Sequence, residues 1–133
     1  MTQPRMRIGA VTITAAPPPH TRELATFYER LLGWQIVDEG PKSGWFQLHP
    51  PEGDADRTLP GINIESDQEH NPPVWPSKPG HQNATMHLDL NVDDLDEAVT
   101  PALQAGATLA DNQPQPQVRV MLDPHGNPFC LCL

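Results

Sequence analysis

The residues best suited to chemistry start with His87 and Asp89. From Met86 to Val92 apolar and polar residues alternate, so Met86, Leu88, Leu90 and Val92 share one face of an expected strand while His87, Asp89 and Asn91 share the other. An imidazole next to a carboxylate on one strand face is an acid–base pair working near neutral pH, with the carboxylate orienting the ring. The same pair also reads as a structural histidine bonded to Asp89 or to a neighbouring strand. Trp45, Gln47 and His49 form a second stripe, offering a flat apolar wall and two directional hydrogen-bonding groups to a ligand; the plainer reading makes Trp45 ordinary core. Cys130 and Cys132 lie two apart in an expected strand, roughly 6.5 Å between Cα atoms from the strand rise, the outer limit for a disulfide. They read as reduced thiols, more as small apolar side chains than as nucleophiles, since no base adjoins them in sequence. Trp75 stands in a proline-rich connector, where it either closes over a cavity mouth or covers a dimer surface. His20, His70, His81 and His125 read as solvent-facing. There is no phosphate-binding loop, Ser-His-Asp pattern or Cys-x-x-Cys pair.

The elements that must carry these groups follow from periodicity and punctuation. Residues 7–14 alternate and are β-branched, predicting strand 1. The prolines at 17–19 end it, and Thr21 is expected to cap a helix whose apolar positions Leu24, Phe27, Tyr28, Leu31 and Leu32 recur at helical spacing until Gly33. Strands are expected over 34–38, 44–49 and 61–65. After the connector come strand 5 over 86–92 and a helix over 95–105, opened by Asp94 with Glu97 three residues on and closed by Gly106. Pro101 is expected to kink that helix or end it early. Three further strands are expected over 107–109, 118–122 and 129–133, with a turn at Asp123-Pro-His-Gly-Asn. Both halves therefore read strand, helix, three strands: an α+β domain spanning 1–133, with module one at about 5–66, a connector at 66–85 and module two at about 86–133. Order alone also permits a ferredoxin-like sandwich.

Composition narrows the classes of partner. The formal charge of −9, from 8 Lys and Arg against 17 Asp and Glu, repels phosphate backbones and anionic membranes, arguing against nucleic acid and membrane surfaces as partners. No apolar run is long enough for a membrane span or signal sequence, so a cytoplasmic protein is expected. Seventeen prolines cluster between the periodic segments and mark loops.

Four segments in series, Phe27-Tyr28-Glu29-Arg30-Leu31-Leu32-Gly33-Trp34, His87 to Leu95, Gly106-Ala107 and Asp123-Pro124-His125-Gly126-Asn127-Pro128-Phe129-Cys130, resemble the vicinal oxygen chelate superfamily of glyoxalases, bleomycin-resistance proteins and extradiol dioxygenases. The tail and the loop at 72–76 look most like its glyoxalase-like subgroup of actinobacterial type. The resemblance implies two βαβββ modules forming a cupped mixed sheet, helices outside, a cavity inside and frequent homodimers. In the cup, Trp45, Gln47, His49, Asn63, Glu65, His87 and Cys130 face the ligand, with Trp75 nearby. The metal ligands that the resemblance implies fall on Ala10, which cannot ligate, on Asn63 or Glu65, on His87 and on Cys130. At best that gives Glu65, His87 and Cys130, a mixed set ill suited to hard oxygen-chelating ions. The expectation is a metal-free protein binding a small organic ligand. The alternative is a lyase or isomerase, with one divalent metal ion at that atypical site or with metal-free proton transfer by His87 and Asp89.

Overall fold

The computed structural model describes residues 3–38, 44–51 and 59–133. Two four-stranded mixed sheets and two helices make an α+β fold of two βαβββ modules. Module one contains β1 (Ala10–Ala15), α1 (His20–Leu32), β2 (Gln35–Asp38), β3 (Trp45–His49) and β4 (Gly61–Ser66). Module two contains β5 (Leu88–Asn91), α2 (Leu95–Ala105), β6 (Thr108–Leu109), β7 (Val118–Leu122) and β8 (Pro128–Cys132). The sheet orders are β1-β4-β3-β2 and β5-β8-β7-β6, with the first and last strands of each module parallel and its other pairs antiparallel. The four strands of each module form their own sheet with one helix, and the first and last of them run parallel, so the ferredoxin-like alternative, one sheet carrying two helices, is not adopted.

Helix boundaries show how local chemistry yields to context. Asp94 caps α2 by accepting from the Glu97 amide at 2.9 Å, as its spacing predicts. Pro101 neither stops nor shortens α2, which runs to Ala105. Proline removes one amide donor on an exposed side of the helix, while Leu95 and Ala102 remain buried on the other. Thr21 does not cap α1. The helix opens two residues earlier than a Thr21 cap would set it, behind Pro19, whose carbonyl accepts from the Glu23 amide at 3.1 Å, and Thr21 is fully buried with its hydroxyl unpartnered among the described residues. Gly33 adopts φ 68° and closes α1 with a bond from its amide to the Glu29 carbonyl, a conformation that side chains resist.

One continuous core joins the modules on the helix side of the sheets. Phe46, Leu48, Ile62 and Ile64 of module one and Met121, Phe129 and Leu131 of module two pack with Leu24, Phe27 and Tyr28 of α1. Among the described residues, no strand of one sheet pairs with a strand of the other. The junction instead runs through α1: Phe27 meets Phe129 with ring centroids 5.8 Å apart, and the Tyr28 hydroxyl donates to Asp123 Oδ2 at 2.7 Å. Asp123, only 3% exposed, also accepts from the His125 amide at 2.9 Å, the Asn127 amide at 3.0 Å and the Asn127 side chain at 2.8 Å. Burial, then the adjoining carboxylate, raises the Tyr28 phenol well above its ordinary range, so it remains a donor.

Tyr28→Phe removes one buried, charge-assisted bond and is expected to lower unfolding free energy by about 1.5–3 kcal/mol. Asp123→Ala, which also strips the turn of its acceptor, is expected to cost more. Urea unfolding of the two single variants and the double variant checks this, with a non-additive double expected because the residues share one network.

Candidate functional site

The free edges of β1 and β5 open onto a common cleft between the modules. Its wall runs from Val11 to Thr14 on one side and from Gln82 to Leu88 on the other, with Tyr28 of α1, Asp67, Glu69, His70, Asn71 and Pro73 of the connector, and Asn127 and Pro128 completing it. The cleft volume is about 590 Å³, within the range of pockets that take drug-sized molecules. The lining mixes apolar Val11, Ile13 and Leu88 with hydroxyls and amides from Thr12, Thr14, Asn71 and Asn127.

Prolines alone do not shape the connector; a set of specific bonds does. The Val74 amide donates to the Gln82 carbonyl at 2.8 Å, and the Asn83 side chain holds Lys78 at both amide and carbonyl, at 2.9 and 3.1 Å. Gly126, at φ 88°, lets the terminal turn come close to the connector, since a Cβ there would meet the Pro73 carbonyl oxygen at 3.2 Å. His70 lines the cleft with its Nε2 buried and without a partner among the described residues. A buried ring nitrogen of that kind is an unmet hydrogen-bonding demand.

His87 sits where the cleft meets the open face of module two. Its Nε2 lies 3.1 Å from Asp89 Oδ1, and Asp89 stands opposite Cys130 in the β5–β8 ladder, so all three gather on one patch. Burial pushes the Cys130 thiol up to about 11, with the Asp89 charge next, then Cys132 and the Asp89 hydrogen bond. Cys132 is raised for similar reasons, burial first and then Asp89. Both cysteines are free and protonated at neutral pH, which suits packing rather than nucleophilic attack. Trp75 packs over Cys130, Val120 and Ala110, so the connector fills the open face of module two with a side chain of its own.

The other expected site residues lie on module one and do not reach the cleft lining. Their register forms two rows across the sheet, Thr12–Asn63–Gln47 and Thr14–Glu65–Trp45. Thr14 Oγ1 donates to Glu65 Oε1 at 2.9 Å, and His49 is exposed at the end of β3. Of the expected ligand-facing residues, His87 is the one lining the cleft, whose wall is built from β1, the residues leading into β5, and the connector rather than from β3 and β4. Of the residues that do line it, Thr12 and Thr14 belong to the alternating first strand, whereas those of the connector carry no periodic signal. His125 was expected to face solvent, yet its side chain is only 12% exposed and reaches toward α1.

The metal set that the resemblance implies does not fit the geometry. Glu65 is engaged by Thr14 and does not join His87 and Cys130, whose neighbour is Asp89, and Ala10 supplies no ligand. One imidazole, one carboxylate and one protonated thiol are not a donor set for an ion that chelates two substrate oxygens.

The glyoxalase-like domain family model matches residues 11–132, and the chain belongs to that family, within the vicinal oxygen chelate superfamily. Solved structures with the same fold include a glyoxalase/bleomycin resistance protein/dioxygenase family enzyme from Burkholderia phytofirmans PsJN, with 18% identity, TM-score 0.64 and coverage of 92% of this chain and 94% of that one. A glyoxalase-related enzyme from Fulvimarina pelagi is 14% identical, with TM-score 0.64 and coverage of 96% and 88%. An antibiotic-binding protein from Streptomyces sp. CB03234 is 18% identical, with TM-score 0.56 and coverage of 98% of each chain. No curated protein matches the sequence.

In a Cys132→Ser background, Cys130 is expected to resist alkylation at pH 8, where a thiol at about 11 is about one part in a thousand thiolate and an ordinary one at 9.0 about one in ten. Iodoacetamide rates against pH read this directly, and Asp89→Asn is expected to bring the rise in rate to lower pH.

Proposed function

We propose that this chain is a small-molecule-binding protein that holds an organic ligand in the cleft between its modules, with no resident metal at the position implied by the superfamily. The observation that carries this reading is the cleft of about 590 Å³, lined by both modules and containing the Nε2 of His70, unpartnered among the described residues. Apolar strand-edge side chains supply contact area, and the hydroxyls and amides of Thr12, Thr14, Asn71 and Asn127 supply directional bonds. That a relative of the same fold is an antibiotic-binding protein supports an organic molecule of that kind as the ligand class. Among the described residues no helix is long and apolar enough to cross a membrane. The reading includes a cytoplasmic location and a homodimer, the latter supported by the large apolar side chains Met6, Ile8 and Met86, which are 86, 74 and 77% exposed.

A second reading is favoured by one distance. His87 lines the cleft and lies 3.1 Å from Asp89, the arrangement of a general base with its orienting carboxylate, as a metal-free lyase or isomerase requires.

A thermal-shift screen of organic compounds, including antibiotics, is expected to yield ligands that raise the melting temperature. A ligand present at 100 times its Kd contributes about 2.7 kcal/mol. Thr12→Trp, which fills the cleft from an exposed strand position, is expected to abolish the shift without lowering ligand-free stability; ligands that still bind this variant equally would sink the proposal. For any ligand found, product analysis separates the two readings: binding without turnover supports the first, and turnover lost in His87→Ala with binding kept supports the second. Light scattering after size exclusion is expected to give twice the 14.7 kDa chain mass.

A further inference from the structure

A second group of metal-ligating side chains lies on the helix side of the molecule, where the modules meet. We propose that His20, Glu23 and His125 bind a divalent transition ion of the zinc class, and that this ion fastens the first turn of α1 to the β7–β8 turn. His20 Nδ1 lies 3.4 Å from Glu23 Oε2, and His125 Nε2 lies 3.5 Å from the same oxygen. The three ligand atoms are all within 4.8 Å of one another.

Those separations are long for hydrogen bonds, which for nitrogen donors to oxygen centre near 2.9–3.0 Å. They match neighbouring ligands on one tetrahedral ion: bonds of about 2.0–2.1 Å put such atoms roughly 3.3–3.5 Å apart. Both rings aim at one carboxylate oxygen, and they meet edge-on, 5.6 Å between centroids at 73°, rather than stacking. The donor set, two imidazoles and a carboxylate, prefers zinc, nickel or copper to magnesium or calcium.

Each half of the site is already held in place. His20 and Glu23 are three apart on a helix and therefore share its face. The Pro17–Pro19 turn fixes the start of that helix, with the His20 amide donating to the Pro17 carbonyl at 3.2 Å. His125 is held by the bond from its amide to Asp123 Oδ1. The positive end of the α1 dipole works against a cation here, and the Glu23 carboxylate offsets it, as does the overall charge of −9. Three protein ligands leave a fourth position for water.

The test uses the whole chain stripped with chelator, titrated with zinc and separately with magnesium by calorimetry near pH 7.5. One zinc per chain with micromolar affinity is expected, and no magnesium heat at the same concentrations. His20→Ala, His125→Ala and Glu23→Gln are each expected to weaken zinc at least tenfold. His87→Ala is expected to leave it unchanged, which separates this site from the patch at Cys130. His20 is half exposed, so His20→Ala preserves the fold and its loss of binding reports ligation. Cobalt substitution is expected to give visible bands without the near-ultraviolet sulfur charge-transfer band that a cysteine ligand produces. Zinc weaker than millimolar, zinc binding unchanged in both histidine variants, or zinc lost in His87→Ala would each overturn the proposal.

Discussion

The bond from Tyr28 to Asp123 is the constraint on which the arrangement of the two modules depends. It is a buried side-chain bond between residues 95 positions apart, and its acceptor is simultaneously the organiser of the β7–β8 turn. A buried carboxylate is costly unless every lone pair is used, and Asp123 uses its own on one phenol, two backbone amides and one side-chain amide. Docking of α1 therefore supplies the carboxylate with a partner that the turn does not itself contain. The turn and the helix docking form one cooperative unit.

Joining the modules through helices rather than through strands has a direct effect on the other side of the sheets. Among the described residues β1 and β5 each keep an unpaired edge, and the space between them becomes the cleft. Tyr28 faces both regions, since it donates to Asp123 and also lines the cleft. Module spacing and cleft width thus share a residue, so changes that loosen the junction alter the binding space as well as stability.

Much of the fold was legible because it is written in local spacing. The helix over Leu95–Ala105 follows from Asp94, the apolar period and Gly106, and β1 from its alternating, β-branched run. β5 starts at Leu88 rather than Met86, since its ladder with β8 begins at the Leu88–Phe129 pair, and alternation reports side-chain direction without reporting a partner. The candidate site divides along the same line. His87 and Asp89 were readable together because they stand two apart in one extended stretch, His87 just before β5 and Asp89 within it. Glu23 and His125 are 102 positions apart, and nothing in either neighbourhood announces the other. The connector resisted reading because its order comes from single bonds, Asn83 to Lys78 and Val74 to Gln82, which have no period.

Trp75 gives the open face of module two an occupant before any ligand arrives. Its indole covers Cys130, Val120 and Ala110 and behaves as a tethered internal ligand, present at a local concentration that no free molecule matches. A guest entering that face must first displace the tryptophan, and its apparent affinity falls by the fraction of chains in which the indole is already out. With that face covered by the chain's own side chain, the proposed ligand is offered the space between the modules instead.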